Sequence, residues 1–171
     1  GWFCEGYRQD SFRGLGIAET FIQDNFSHTE KSGTIRGLHY QEHPYSQSKL
    51  FRCVRGSVYD VVVDLRRDSP TYLQWAGFVL CEDRFEWLYI PKGYAHGFQT
   101  LCDDCNVHYK VDMAYHPEAE HCIRWNDAQL GILWPLTPVT LSEKDRQGMS
   151  IDAYRRIGGN SDADKSIQCL R

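Results

Sequence analysis

Two strand-like runs, residues 49–55 and 57–65, are separated by the single residue Gly56. In the second run Val58, Asp60, Val62 and Asp64 alternate with Tyr59, Val61, Val63 and Leu65. The period of two puts apolar side chains on both faces of one strand. One face then looks into a barrel interior, and the other meets a second sheet or another subunit. The two runs read as a hairpin. Lys49, Phe51 and Cys53 share one face of its first strand, so Lys49 and Asp60 can face one cavity, unless Asp60 points into a contact.

Similar short segments recur at 19–24, 34–41, 74–81, 84–90, 96–101 and 106–113. Turn signals stand between them, including Arg66-Arg67-Asp68-Ser69-Pro70. Many short strands with such spacing specify an all-β sandwich or barrel. Helix signals are confined to the ends. Residues 8–14 form a short turn. Ser142 is an N-cap for a polar helix running to about residue 157. Gly158-Gly159-Asn160-Ser161 breaks it, and the last ten residues read as polar and loosely ordered. Residues 1–147 are therefore expected to form the barrel domain and 148–171 a helical, polar tail.

With 171 residues, 42% of them hydrophobic, the chain suffices for one globular core. Its net charge of −4 and lack of a basic stripe argue against nucleic acid as a partner. No apolar run approaches bilayer length, and no secretory leader opens the sequence, so no membrane partner is expected. The cysteines at 4, 53, 81, 102, 105, 122 and 169 are odd in number and mostly lie in apolar runs. They read as reduced thiols of a cytoplasmic protein. Cys102-Asp103-Asp104-Cys105 is a lone CxxC between strands and reads as a turn rather than a metal or redox motif.

Strands have little use for buried His, Lys and Arg unless these groups are paired or do chemistry. Arg36-Gly37-Leu38-His39, Lys49 and the stretch from Pro91 to Phe98 that contains His96 concentrate such groups. They suggest a charged barrel interior and an anionic ligand. Proton abstraction needs a base titrating near neutrality, an orienting group and an electrophile. His39 is a candidate base. Lys49 can hold an enolate oxygen, and Tyr109 can donate a proton from the opposite side. Each also has a plainer reading, as a hydrogen-bonded His in packing or a Tyr with its hydroxyl at a rim. Strict alternation puts Arg36 and His39 on opposite faces. Both reach one cavity only if the strand bulges, and Gly37 is the natural place.

Pro91-x-Gly93-x-x-His96 resembles the second motif of the cupin superfamily, a double-stranded β-helix barrel of the jelly-roll type. Metal-binding cupins carry His-x-His in their first motif. Here His39 and His43 are four residues apart, roughly 13 Å in an extended strand. A metal-free cupin with no cofactor is therefore expected.

Longer motifs are similar to those of the dTDP-4-dehydrorhamnose 3,5-epimerases. They are Phe21-Ile22-Gln23-Asp24-Asn25-x-Ser27, Arg36-Gly37-Leu38-His39-Tyr40-Gln41, the run from Lys49 to Val61, the run from Ile90 to Phe98, Trp125-Asn126-Asp127 and Leu141-Ser142-Glu143-Lys144-Asp145. The likeness covers roughly residues 1–147. It implies an isomerase acting on a dTDP-linked 4-keto-6-deoxyhexose, whose carbons 3 and 5 both flank the ketone. His39 matches the family's base, Asp145 the carboxylate that orients it, Lys49 the enolate-holding cation and Tyr109 the acid. Glu5, Gln23, Asp24, Asn25, Arg36, His96, Glu120 and Lys144 match ligand contacts. Tyr115 matches an aromatic that stacks on the nucleobase. Arg36 suits forked contacts with a diphosphate. The family pattern Arg-Gly-x-x-x-Glu is met from its Gly onward, so an upstream Arg and first strand are expected to precede Gly1. A homodimer with exchanged strands is also implied. Epimerisation at carbon 3 alone and another nucleotide-linked sugar remain open, as does a non-catalytic sugar-nucleotide-binding cupin.

Overall fold

The computed structural model describes residues 1–138, 140–157 and 166–170. In chain order the elements are α1 (Gln9–Gly14), β1 (Gln23–Thr29), β2 (Thr34–Gln41), β3 (Lys49–Arg55), β4 (Ser57–Asp64), β5 (Trp75–Cys81), β6 (Trp87–Ile90), β7 (Tyr94–Thr100) and β8 (Cys105–Val111). A 3-10 turn at Pro117–Ala119 follows, then β9 (Glu120–Cys122), β10 (Thr140–Leu141), α2 (Glu143–Arg146), α3 (Ile151–Arg156) and β11 (Gln168–Leu170). Two sheets form, β1-β8-β3-β6-β11 and β10-β2-β7-β4-β5, with β9 pairing β2. This is the all-β, cupin-type jelly-roll barrel with short helices near its C-terminal end. No helix of the described residues is long and apolar enough to cross a membrane.

The two faces of β4 separate as their alternation dictates. Val58 and Val62 join Phe51, Leu88, Ile90, Phe98 and Val107 in the core between the sheets. Val61, Val63 and Leu65 face outward. The sequence implied that a second sheet or another subunit covers that outer face. The chain's own C-terminal segment does, through Ile151 and Tyr154 of α3. Tyr154 also donates its hydroxyl to the Leu65 carbonyl at 2.7 Å.

The expected hairpin does not form. β3 pairs with β6 and β8, whereas β4 pairs with β5 and β7 in the opposite sheet. A tight hairpin loop needs two central residues, and one glycine cannot supply them. Gly56 instead turns the chain from one sheet to the other at φ +78, and a Cβ there would come within 2.7 Å of Cys102 Sγ.

The long C-terminal helix is also replaced. α2 and α3 are separate, because Met149 pairs with Ile123 as a parallel bridge. Its N–H donates to the Cys122 carbonyl at 2.8 Å. The Gly158-Gly159-Asn160-Ser161 breaker lies outside the described residues. Gln168–Leu170, expected to be loose, pairs antiparallel with β6. The first strand starts at Gln23 and runs through mostly polar residues to Thr29, later than the expected 19–24, because β8 pairs with it along its whole length.

Candidate active site

Gly37 shapes the site. Arg36 opposes Phe98 and His39 opposes His96, with a register shift between them, so two residues of β2 stand against Gly97 alone. That is the bulge expected at Gly37. Its φ is +118, and a Cβ there would lie 2.6 Å from Gly97 Cα. The bulge lets Arg36 and His39 line the same cavity, about 350 Å³ in volume.

Residues from both sheets converge there. His39, His96 and Arg36 come from the β2–β7 side, and Lys49, Phe51 and Tyr109 from β3 and β8. Ser142, Lys144 and Asp145 close one end from α2 and its cap, and Glu120 comes from β9. His43 does not line the cavity.

His39 Nε2 lies 2.7 Å from Asp145 Oδ1. Asp145 is 1% exposed. Burial opposes its ionisation, but hydrogen bonds from His39, the Ser142 hydroxyl (2.7 Å) and the Gly37 N–H (3.2 Å) prevail and hold the carboxyl below its ordinary range. An ionised Asp145 makes Nε2 the protonated ring nitrogen and leaves Nδ1 as the acceptor. Ser142 also caps α2 by accepting from the Asp145 N–H. One serine thus starts the helix and fixes the carboxylate.

A second pair lies deeper. His96 Nε2 is 2.7 Å from Asp60 Oδ2, and Asp60 is fully buried. Asp60 therefore points into the barrel. Burial pushes its carboxyl up, and the charges of His96 and Lys49 act against that shift. Burial likewise pushes His96 down, towards a neutral ring. Lys49 is pulled down to about 8 by burial, against the nearby carboxylates of Glu120 and Asp60. Burial raises the Tyr109 hydroxyl, keeping it a proton carrier.

Glu120 joins the cavity to its rim. It forms an ion pair with Lys144 and accepts from the Tyr115 hydroxyl at 2.6 Å. These contacts outweigh burial and keep its carboxyl low. Tyr115 is 54% exposed, its ring free to meet a flat ligand.

Not every expected contact reaches this cavity. Gln23, Asp24 and Asn25 lie on the edge strand β1. Gln23 donates to Asn25 at 2.8 Å, and Asp24 is held by Lys110 and His108. Glu5 is exposed and pairs with Arg8. Conversely, Ser142, Phe51 and Phe98 line the site without having been named for it. Ser142 was legible as an N-cap, but its second bond was not. Cys122 had no signal at all. Its Sγ lies 3.9 Å from Asp145 Oδ1, directly behind the His39 pair.

The family model described as dTDP-4-dehydrorhamnose 3,5-epimerase matches residues 1–153. A dTDP-4-dehydrorhamnose 3,5-epimerase of Pseudomonas aeruginosa is 47% identical over 150 residues, 86% of this chain and 82% of that protein. The crystal structure of a dTDP-4-dehydrorhamnose 3,5-epimerase from Bacillus anthracis with TDP and PPi bound matches with a TM-score of 0.87 at 46% identity, over 88% of this chain and 86% of that one. A dTDP-6-deoxy-D-glucose-3,5-epimerase from Legionella pneumophila, in complex with dTDP-4-keto-L-rhamnose, matches with a TM-score of 0.86 at 41% identity, over 95% and 87% of the two chains.

Proposed function

Because the chain belongs to the dTDP-4-dehydrorhamnose 3,5-epimerase family, we propose that it inverts carbons 3 and 5 of a dTDP-linked 4-keto-6-deoxyhexose, for dTDP-L-rhamnose or a related deoxysugar. The observation that carries this reading is the convergence of His39, Lys49 and Tyr109 on one cavity, with His39 and Tyr109 arriving from opposite sheets. Inversion requires that one group remove a proton and a different group return it to the other face. His39 is the base, acting through Nδ1. Asp145 fixes its tautomer and steadies the imidazolium that forms. Lys49 holds the enolate oxygen. Tyr109 returns the proton.

Arg36 binds the diphosphate. Its Nε donates to the Thr29 hydroxyl at 3.1 Å, which aims the guanidinium. His96, held by Asp60, contacts the sugar. Tyr115 stacks on the nucleobase, and Glu120 and Lys144 shape the rim between them. The free state of all seven thiols fits a reducing compartment such as the cytoplasm.

Glu5, Gln23, Asp24 and Asn25 are assigned to the site of a second copy in a homodimer. Ile22 and Phe26, beside and within edge strand β1, are 62% and 75% exposed, which supports a partner on that edge. Phe26→Asp is expected to convert the dimer to monomer by light scattering. It should also lower nucleotide affinity, because each copy then loses its neighbour's contacts. An unchanged dimer would remove β1 from the interface.

Lys49→Met is expected to lower kcat about 10²-fold with little change in KM, as for loss of one oxyanion partner. Lys49 serves as the ammonium, so it works below its pKa. With that pKa at about 8, kcat/KM should fall as pH rises through about 8. Lys49→Arg should remove this alkaline limb, since Arg keeps its proton. A limb unchanged in Lys49→Arg would assign it elsewhere.

The test of the function is incubation with dTDP-4-keto-6-deoxyglucose in heavy water, followed by NMR. Deuterium at both carbons is the expected result. Deuterium at carbon 3 alone would make the protein a 3-epimerase. Binding without exchange would overturn the enzymatic reading in favour of a sugar-nucleotide-binding cupin.

A further inference from the structure

Cys122 lies behind the His39–Asp145 pair, and the mechanism gives it no task. Cys122 and His39 are direct cross-strand partners in the β9–β2 ladder. A ring nitrogen of His39, Sγ of Cys122 and a carboxylate oxygen of Asp145 all lie within 4.8 Å of one another. Nε2 is 2.7 Å and Sγ 3.9 Å from the same Oδ1. Imidazole nitrogen, thiolate sulfur and carboxylate oxygen are the donor types that hold Zn²⁺, and thiolate draws its softer relatives.

Two of the three donor spacings are close to what such an ion demands, and the third, from the imidazole to Sγ, is no more than 4.8 Å. Bonds of about 2.0 Å to N and O and about 2.3 Å to S, at tetrahedral angles, set the donors roughly 3.3–3.6 Å apart. Nε2 has to open from Oδ1 by roughly 0.6 Å and Sγ to close by roughly 0.4 Å, shifts within reach of small side-chain rotations. The donors are also anchored. Asp145 is fixed by Gly37 and Ser142, and the other two residues sit on paired strands. Access does not require the substrate cavity. Cys122 lines an adjoining cleft with His121, Gln147 and Met149, which shares Glu120 and Lys144 with the substrate cavity.

We propose that His39, Cys122 and Asp145 form an inhibitory site for a thiophilic divalent cation, Zn²⁺ or Cd²⁺, which silences the enzyme by occupying its base. The inhibition rests on the reading of His39 as that base; the site itself does not. On binding, the Cys122 thiol releases its proton to solvent and its sulfur bonds the ion. The ion takes Nε2, and the imidazole proton moves to Nδ1. The nitrogen that accepted the substrate's proton thereby becomes an N–H donor. No electrons are transferred, and the fourth position of the ion is left for solvent.

The test titrates the protein with Cd²⁺, following the ultraviolet thiolate-to-cadmium absorption, and with Zn²⁺, following the initial epimerisation rate. Mg²⁺ at equal concentration controls for ions held by the substrate's diphosphate. Cys122→Ser is expected to lose one equivalent of the cadmium band. Relative to its own metal-free rate, it should need at least tenfold more Zn²⁺ for half inhibition. Cys102→Ser controls for the Cys102–Cys105 thiol pair elsewhere in the barrel, whose Sγ atoms lie 3.4 Å apart, and should leave Zn²⁺ inhibition unchanged. Chelation should restore the wild-type rate. Equal Zn²⁺ sensitivity in Cys122→Ser and wild type, or an undiminished cadmium band, would overturn the site. A band lost in both Cys122→Ser and His39→Asn, with no inhibition of wild type, would uphold the site but overturn the inhibition and, with it, the role of His39.

Discussion

His39→Asn is expected to abolish deuterium exchange at carbon 3 and carbon 5 together, a loss of about 10³–10⁴-fold in kcat, near the upper end for a positioned acid–base group. Both carbons depend on one base, so the two exchange rates should fall in parallel. Asn preserves a donor for the Asp145 carboxylate, which is otherwise held by Ser142 and Gly37. The fold should therefore survive, and the circular dichroism spectrum and melting temperature should stay near wild type. Exchange persisting within tenfold of wild type at either carbon would show that another group removes that proton. Asp145 then loses its place in the mechanism as well, because its role runs through the ring of His39.

Gly97→Ala is expected to be strongly destabilising for a change of one methyl group. A Cβ at Gly97 would lie 2.6 Å from the Arg36 carbonyl oxygen, 3.0 Å from Leu38 Cδ2 and 3.1 Å from Gly37 Cα. Two of these three atoms are backbone and cannot rotate away. Overpacking costs about 1–3 kcal/mol, and a backbone clash belongs at the top of that range. For a chain of this size, that lowers Tm by about 6–12 °C. The strain falls on the bulge that carries Arg36 and His39 into the cavity. A shift of about 1 Å there should lower kcat about 10²-fold even well below the melting temperature. Gly14→Ala is the control, since a Cβ at that position meets nothing within 4 Å. A wild-type melting curve for Gly97→Ala would mean that β2 and β7 do not pack as closely as described.

Much of the cavity lining was legible because it is written in local pattern. Arg36-Gly37-Leu38-His39 declared both its charged pair and its problem. Alternation separates Arg36 from His39, and only a bulge at Gly37 reunites them, which is how β2 runs. The alternation in β4 told which side chains share a face, and Val58 and Val62 do meet Phe51 in one core. The membership of Asp145 in the site came from its resemblance to a family motif. Nothing in the spacing relates it to His39, 106 positions away in the chain.

What stayed hidden is non-local. Gly56 looked like the tip of a hairpin, yet β3 and β4 lie in opposite sheets. The same apolar faces would suit either arrangement, and pairing with β6, β7 and β8 decides between them. The cover over the outer face of β4 is α3, whose Ile151 and Tyr154 carry no mark of their destination. Cys122 is one of seven thiols in the sequence, and only the β9–β2 ladder puts it beside His39. The sequence by itself determined most of the long strands, their faces and the charged residues that a barrel must keep inside. These follow from a backbone period of two and the cost of burying unpaired charge. Only the tertiary structure decided which strands are neighbours, which glycine contact shapes the cavity and which edge is left open. Those choices depend on packing between residues far apart in the chain, which no local period records.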